Sequence, residues 1–358
     1  MSRRGSNPSK QGQRLPAFGQ VRLIIPVYLP SSDGYYADGL RVFETMVDSI
    51  EATADDRVLV TVIDNACGPE VRESLEHLVE GRVDRLVRNR SNRGKVDAVL
   101  AELNATFEPV IVVADADVVF RPGWVDAVHE GFGAFPECGL LSLHPAPDLR
   151  WHASSSILVG ARSRKAHLVQ APVVEPGDLE RFAMSVGRVA TVQPAEGQLL
   201  VERDGHALML GFAHFAFALR RAAVADLPSE PCRSTEDGVD ARYFELPADQ
   251  AGWWCATVLW ALVHHIGNTL DQDEEARIAS FAASVAADHA PGLPAARRAA
   301  ASRRSPEIVH RLVTKAARWA YGHRRTTLRL APVRDVARTP SSATRISEIG
   351  PQSTHPTP

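Results

Sequence analysis

The chain has few cysteines, few aromatic residues and no long uninterrupted apolar run. Only four of its 358 residues are cysteines, and no two of them form a Cys-x-x-Cys pair. This argues against a disulfide framework and a structural zinc site, and is typical of a reducing compartment. The longest uncharged run, residues 251–268, includes two histidines, an asparagine and two glycines. Its dense apolar part is too short to span a bilayer, so we expect a buried strand there.

Positive and negative charges nearly balance over the whole chain but not along it. The formal net charge is −3, yet residues 291–340 hold twelve Arg or Lys against only two acids, Glu307 and Asp335. The part before residue 291 is therefore acidic, which argues against nucleic acid as a partner. Residues 1–20 are polar and basic and lack the apolar core of an export signal, so we expect a disordered leader and a cytoplasmic protein.

The first half of the chain alternates strand-like and helix-like segments. Short β-branched runs occupy residues 21–25, 58–63, 83–87 and 109–114, and segments with helical spacing of apolar residues separate them. This order predicts an α/β fold with right-handed crossovers and a parallel sheet between helices. Ligands bind such sheets beyond the carboxyl ends of the strands, which is where Pro26, Asp64 and Asp115 fall.

The second half is less regular. Pro122 precedes a helix-like segment, and residues 140–143 predict a fifth strand. Residues 144–180 show no sustained period and carry prolines towards both ends, which predicts a partly mobile loop region. From 186 to 219, short apolar stretches separated by turn residues predict hairpins with antiparallel or mixed strands. There Phe215 and Phe217 alternate with alanines, as in a half-buried strand.

Two carboxylates follow the apolar run at 109–114. In an extended chain Asp115 and Asp117 point to the same side, and two ionised carboxylates that close repel each other unless a cation lies between them. Oxygen ligands of this kind, completed by waters and substrate phosphates, suit Mg²⁺ or Mn²⁺. The alternative is that Asp117 begins a loop and Asp115 caps a neighbouring element.

Three further segments can carry chemistry. The turn Asn92-Arg93-Gly94-Lys95 opens a helix and is either an anion site for a group such as a diphosphate or a solvated basic loop. In Ser234-Thr235-Glu236-Asp237, Ser or Thr can cap the following helix, which leaves one of the two acids free to act as a base. His264 and His265 end an apolar strand and face opposite sides, so at most one reaches a shared site, and a structural role is the alternative.

In their order along the chain, these motifs resemble the inverting glycosyltransferases of family 2 from residue 21 to about residue 269. The matching segments are Ile25-Pro26-Val27-Tyr28, Val62-Ile63-Asp64-Asn65, Asn92-Arg93-Gly94-Lys95, Asp115-Ala116-Asp117 with Pro122-Gly123-Trp124, Thr235-Glu236-Asp237 and His265-Ile266-Gly267-Asn268. The resemblance implies a GT-A-type, Rossmann-like domain with a mostly parallel central sheet. It also implies a hexosyltransferase that moves a sugar from a nucleoside diphosphate donor to an acceptor hydroxyl, with Mn²⁺ or Mg²⁺ as cofactor.

The resemblance further implies residue roles. The residues implied to hold the nucleotide sugar are Pro26, Val27, Tyr28, Asp64, Arg93, Lys95 and Asp115. Those implied to bind the metal are Asp117, Asp115 and His265. Asp237 is implied as the catalytic base that takes the proton of the acceptor hydroxyl, with Glu236 as the other candidate.

Two departures from the family pattern leave the acceptor open. The loop at 29–39 is longer than expected, and residues 144–203 match nothing in the family. We therefore expect a glycan or lipid-linked acceptor without identifying it. A sugar nucleotidyltransferase is one alternative, although the place of its Gly-rich phosphate loop is taken here by Pro26-Val27-Tyr28-Leu29-Pro30. A non-catalytic nucleotide-sugar-binding protein is the other.

The predicted organisation has four parts. They are a disordered leader at 1–20, the glycosyltransferase domain at 21–270, a helical basic extension at 271–335 and a disordered tail at 336–358. In the extension, apolar residues from Ile308 to Trp319 repeat at helical spacing beside basic side chains. Such a helix either packs on the catalytic domain or lies peripherally in the interface of the inner membrane face.

Overall fold

The computed structural model describes residues 19–163, 166–189, 197–236, 238–272, 275, 276, 278, 312, 313 and 315. The strands are β1 (Val21–Val27), β2 (Val58–Asp64), β3 (Arg85–Arg88), β4 (Val110–Ala114), β5 (Val118–Phe120), β6 (Cys138–Ser142), β7 (His167–Ala171), β8 (Gln198–Arg203), β9 (His206–Leu210), β10 (Ala216–Arg220), β11 (Trp254–Thr257) and β12 (Val263–His265). The α-helices are α1 (Gly39–Thr53), α2 (Pro69–Val79), α3 (Gly94–Ala105), α4 (Trp124–Ala134), α5 (Ser155–Ser163), α6 (Pro176–Ser185), α7 (Arg221–Val224), α8 (Asp240–Tyr243) and α9 (Glu245–Gln250). Short 3-10 helices lie at Gly34–Tyr36 and Pro147–Leu149.

A ten-stranded sheet forms the centre of the fold, in the order β3-β2-β1-β4-β10-β6-β11-β9-β8-β7. Its first four strands are parallel and follow the Rossmann-like order 3-2-1-4. Strand β10 runs antiparallel to both of its neighbours, and β7, β8 and β9 form an antiparallel meander. The predicted α/β class is therefore confirmed, as are the antiparallel and mixed strands predicted after residue 186.

Helices cover both faces of the sheet, and alternate residues of each strand point into one of two apolar layers. One layer packs the strands against α1, α2, α4 and α5, and the other packs them against α3, α7 and α9. All five residues of β4 are buried, with Val112 in the first layer and Val113 in the second. This explains the continuous apolar run before Asp115, since a strand with both faces covered has no polar side.

Three predictions about the second half are corrected by the structure. Residues 144–180 are not a loop region, since they contain α5, β7 and the beginning of α6. Pro176 stands in the first turn of α6, where a missing N–H costs nothing, so it begins a helix. Strand β10 is fully buried, not half-buried, because its residues pack alternately into the apolar layers on both faces of the sheet. The long uncharged run forms two short strands, β11 and β12, instead of one.

Several predictions concern residues that the structure does not describe. These include nearly all of the leader, most of the basic extension with its amphipathic segment, and the tail. Their predicted boundaries and the membrane-interface helix stay predictions. Within the described part of the chain, no helix combines the length and apolar composition needed to cross a bilayer.

Replacing Phe217 by alanine tests the second apolar layer. Phe217 on β10 is fully buried, and its ring centroid lies 5.4 Å from that of Phe212 and 5.3 Å from that of Phe244. We expect Phe217→Ala to lower the free energy of unfolding by about 3–5 kcal/mol, measured by urea denaturation. Phe107, whose side chain is largely exposed, is the matched control, and Phe107→Ala should stay within about 0.5 kcal/mol of the parent. Equal effects of the two variants would contradict the assigned packing.

Candidate active site

A cavity of about 550 Å³ opens beyond the carboxyl ends of β1, β2 and β4, where ligands bind parallel sheets. Its lining combines apolar, aromatic, amide and charged groups from distant parts of the chain. The lining residues are Pro26, Val27, Tyr28, Leu29, Tyr35, Tyr36, Gly39, Val42, Asn65, Asn92, Gly94, Lys95, Asp115, Ala116, Asp117, Thr235, Gly267 and Asn268. Six of the predicted site residues are therefore in one place, namely Pro26, Val27, Tyr28, Lys95, Asp115 and Asp117.

Three tyrosines form an aromatic wall on one side of the cavity. The ring of Tyr36 meets that of Tyr28 edge to face at 6.5 Å and that of Tyr35 at 5.2 Å. Tyr35 is also held by its backbone, because its carbonyl accepts a hydrogen bond of 3.2 Å from the side-chain amide of Asn268. The long loop after β1, which departs from the family pattern, thus supplies aromatic surface to the cavity. Such surfaces suit the stacking of a planar base.

Asp64 lies beneath the cavity surface and does not line it. It is fully buried, and its Oδ1 accepts a hydrogen bond of 2.8 Å from the backbone N–H of Cys67. Its Oδ2 accepts another, of 3.2 Å, from Nε of Arg72. These contacts fix the turn after β2, and the neighbouring Asn65 lines the cavity instead. A direct contact between Asp64 and a nucleotide base stays a prediction.

A network of asparagine side chains joins β2, β3 and α3. Asn65 Oδ1 accepts from the side chain of Asn89 at 3.0 Å and from the backbone N–H of Arg93 at 3.1 Å. Asn65 Nδ2 donates to Asn92 Oδ1 at 3.0 Å, and Asn92 Oδ1 also accepts from the N–H of Gly94 at 2.7 Å. Sequence reasoning missed Asn89, although its place directly after β3 was the available signal.

This network changes the expected anion site at the start of α3. Two backbone N–H groups of the turn, those of Arg93 and Gly94, already donate to asparagine oxygens. The Arg93 side chain is exposed, and Arg93 is not among the residues that line the cavity. Gly94 has φ +76°, and a Cβ there would lie 3.1 Å from the carbonyl oxygen of Ser234, so only glycine fits. The charge offered to an anion therefore comes from Lys95.

Lys95 connects three separate segments. Its Nζ lies 2.6 Å from Asp115 Oδ1 and 3.2 Å from Asp240 Oδ1, and it donates to the His214 carbonyl at 3.0 Å. Burial lowers the pKa of Lys95, but attraction to Asp115 and Asp240 outweighs it, so the net pKa is raised. Lys95 is therefore a fixed cation at the edge of the cavity.

Asp117 and His265 form a second cluster beside Lys95. A turn at 116–117 follows Asp115, so the two acids do not continue the strand as the simple extended geometry had predicted. His265 Nε2 lies 3.4 Å from Asp117 Oδ2, whereas His264 is buried and pairs with Val119 between the two strands. Desolvation raises the pKa of Asp117, His265 opposes this change and Asp115 adds to it.

Asp117 and His265 present one oxygen and one nitrogen donor atom that a divalent metal ion could bind. In the part of the chain that the structure describes, no group of three or more His, Cys, Asp or Glu side chains could hold a metal ion. Asp115 is engaged by Lys95, which leaves a carboxylate oxygen and an imidazole nitrogen 3.4 Å apart. Two protein ligands suit Mg²⁺ or Mn²⁺, which keep waters and substrate phosphate oxygens in their shell.

The loop at 230–236 carries Glu236, one of the two predicted acids. Asp97 on α3 accepts hydrogen bonds from the backbone N–H groups of Cys232, at 2.5 Å, and Arg233, at 3.1 Å. Ser234 Oγ accepts from the N–H of Glu236 at 3.1 Å within the loop. It does not cap the next helix as predicted, since α8 begins only at Asp240 and its N-cap residue is Val239, without a side-chain cap. The Glu236 side chain is exposed, while Asp237 lies outside the described residues. The helix predicted from these acids to Phe244 is present only as the short α8, Asp240–Tyr243.

A buried ionic cluster behind Lys95 was missed by sequence reasoning. Glu245 is fully buried, and its Oε1 lies 3.4 Å from His214 Nδ1 and 3.4 Å from His152 Nε2. Burial raises the pKa of Glu245, but its interactions with the two nearby histidines lower it to about 2. Burial lowers the pKa of His214, but Glu245 raises it above its usual value. No motif signals this cluster, since its three members come from separate segments.

Comparisons with known proteins find no matching family model and no matching curated protein. One similar solved structure is the mannosyltransferase PcManGT from Pyrobaculum calidifontis in complex with GDP-Man and Mn²⁺. It is 14% identical, covers 87% of this chain and 77% of that chain, and has a TM-score of 0.43. Another is glucosyl-3-phosphoglycerate synthase from Mycobacterium tuberculosis in complex with Mn²⁺, UDP and glucosyl-3-phosphoglycerate. It is 16% identical in sequence, and the match covers 73% of this chain and 76% of that chain with a TM-score of 0.39. At these values the likeness decides neither the family nor the function of this chain.

We expect part of the free energy of unfolding to depend on pH through the contact between Glu245 and His214. Because the pKa of His214 is raised, its contribution to the free energy of unfolding is fully present in acid. That contribution is lost as the pH rises through the raised pKa. Because the pKa of Glu245 is lowered, its contribution is present above about 4.5 and lost as pH falls towards 2. The two contributions therefore overlap between the usual pKa values of 4.5 and 6.5.

We expect Glu245→Gln to lower the pKa of His214, measured by NMR titration. The loss in the free energy of unfolding should be larger at about pH 5 than at about pH 9. The exposed pair of Glu130 and His206, with Oε1 and Nδ1 3.0 Å apart, provides the control variant Glu130→Gln. A loss for Glu245→Gln that does not change with pH would contradict the pairing.

Proposed function

We propose that this protein is an inverting glycosyltransferase of the family 2 type. It moves a sugar, of hexose type, from a nucleoside diphosphate donor to an acceptor hydroxyl with the help of Mg²⁺ or Mn²⁺. The observation that carries the proposal is one cavity lined by aromatic rings, the cation of Lys95 and Asp117, with His265 lying 3.4 Å from Asp117. The rings suit the base, Lys95 suits the diphosphate, and Asp117 with His265 suits its metal ion.

The nucleoside occupies the side of the cavity lined by Tyr28, Tyr35 and Tyr36. Aromatic rings provide apolar faces on which a planar base can stack. Pro26 and Val27 form the floor at the end of β1. This arrangement supports a nucleotide donor more than a free sugar, because a free sugar would not need three rings together.

The diphosphate lies between Lys95 and the pair of Asp117 and His265. The raised pKa of Lys95 keeps it cationic, so it attracts the developing charge of the leaving group. A metal ion held by Asp117 and His265 supplies Lewis-acid stabilisation of the departing diphosphate. Asp115 orients Lys95 through its contact of 2.6 Å and belongs to the same half of the site.

Inversion needs one direct displacement at the anomeric carbon. A base must take the proton of the acceptor hydroxyl as the new glycosidic bond forms and the bond to the diphosphate breaks. We assign this base to Asp237, with Glu236 as the other candidate. The loop that leads to them is fastened to α3 by Asp97, and its residue Thr235 lines the cavity together with Lys95. A glycan or lipid-linked acceptor is proposed, and the basic extension is proposed to contact the membrane peripherally.

Replacing Asp117 by alanine tests the metal role. We expect Asp117→Ala to remove the metal-dependent part of the affinity for UDP or GDP, measured by isothermal titration with and without Mn²⁺. The loss should be about 10-fold or more, since even groups that only support metal ligands are commonly worth that much. Asp56 is exposed and lies away from the cavity, so Asp56→Ala is the matched control. Binding of both nucleotides to the parent protein that does not respond to Mn²⁺ would overturn the metal assignment.

Replacing Asp237 by asparagine tests the base. A general base contributes about 10²–10⁴-fold to the rate, so Asp237→Asn should lower kcat by that factor and leave donor binding unchanged. Glu236→Gln is the matched comparison, and a loss confined to that variant would move the role to Glu236. NMR analysis of the anomeric configuration of the product checks inversion separately. Near-normal turnover in both variants would contradict the assignment to this loop.

A further inference from the structure

Helix α6 contacts the His265 ring at the nitrogen that does not face Asp117. Ser185, the last residue of α6, has its Oγ 2.9 Å from His265 Nδ1. The other ring nitrogen, Nε2, lies 3.4 Å from Asp117 Oδ2. The two nitrogens of one imidazole therefore have different neighbours, one on α6 and one at the proposed metal site.

The hydrogen-bond partners of Ser185 decide which nitrogen carries the proton. Its Oγ also lies 2.8 Å from the carbonyl oxygen of Phe182, which can only accept a hydrogen bond. A serine hydroxyl has one proton to donate, and that proton goes to the carbonyl. Oγ must then accept from His265, so Nδ1 bears the hydrogen. In the neutral ring, Nε2 is left with a lone pair that faces Asp117.

The surroundings of the ring hold it in this orientation. The rings of Phe182 and Phe215 meet His265 edge to face, with centroid distances of 5.8 and 5.2 Å. A Cβ at Gly267 would lie 2.8 Å from the Ser185 carbonyl oxygen, so glycine lets the chain after His265 lie against the end of α6. Helix α6 belongs to the segment in which no sequence motif was found, yet it sets the position of this side chain.

We propose that Ser185 is a positioning residue that fixes the Nδ1–H tautomer of His265 and so presents Nε2 as a ligand for a divalent cation. The inference rests on the proposed function for the identity of that cation. With the opposite tautomer, an Nε2–H would donate to Asp117, and this hydrogen bond would compete with a cation for the carboxylate. Ser185 thus acts on the metal site through His265, without touching it.

The tautomer is measured first, in the metal-free full-length protein. At a pH where the imidazole is neutral, ¹⁵N NMR distinguishes Nδ1–H from Nε2–H for His265. We expect Nδ1–H in the parent and in Ser185→Thr, and a shift towards Nε2–H in Ser185→Ala because Asp117 then offers the better acceptor. Ser74→Ala is the matched control, since Ser74 Oγ donates to the carbonyl of Glu70 on α2, away from the cavity. An Nε2–H tautomer in the parent overturns the proposal even if no variant folds.

The affinity for Mn²⁺ is measured second, by isothermal titration in the presence of UDP or GDP. We expect Ser185→Ala to weaken Mn²⁺ binding about 10–100-fold, with Ser185→Thr restoring it and Ser74→Ala leaving it unchanged. Weaker binding in Ser185→Ala without a change of tautomer would contradict the proposal, because a structural loss alone would explain it. If His265→Ala keeps full Mn²⁺ affinity, the metal role of His265 in the proposed function fails. The tautomer result, obtained without metal, still decides the role of Ser185.

Discussion

The ammonium group of Lys95 is the interaction on which the candidate site depends. It meets a carboxylate from the end of β4, a carboxylate from α8 and a carbonyl that precedes β10. Without this cation, Asp115 and Asp240 would be left partly buried without an opposite charge, which is strongly unfavourable. Lys95 stands in the first turn of α3, so its position depends in turn on the tight turn at Gly94 and on the asparagine side chains that fix it. One cation thereby joins the parallel half of the sheet to the segments that complete the cavity.

A second group of titratable side chains lies behind Lys95. The carbonyl of His214 bonds to Lys95, while its imidazole meets the buried carboxylate of Glu245. His152 approaches the same carboxylate from another segment. Each ionised group therefore has a neighbour of opposite charge, and this allows several titratable side chains to lie together at low exposure. The arrangement keeps the loop before β10 in place, and that loop supplies both the carbonyl for Lys95 and the ring of Phe215 that packs on His265.

Local sequence patterns predicted the features that depend on neighbouring residues. The strand before Asp115 and the helix that begins near Gly94 follow from runs and periods that a few residues define. The failures are of two kinds. Helix α6 is short and begins at Pro176, and such a helix shows too few turns for a period to appear. The contacts of Glu245 and the burial of Asp64 under Arg72 arise from tertiary packing, which no spacing rule expresses. Sequence order thus located the groups but not their partners.

The pairing of β12 with β5 brings His265 next to Asp117. The register places His265 opposite Val118, the residue after Asp117, and the N–H of Ile266 donates to the Asp117 carbonyl at 2.8 Å. Two side chains far apart in the sequence are therefore placed together by backbone hydrogen bonds. A slip of one residue would send His265 to the opposite face and put His264 in its place. The aromatic rings around His265 and the hydroxyl of Ser185 fit the observed register, so this strand pairing also selects which of the two histidines lies against Asp117.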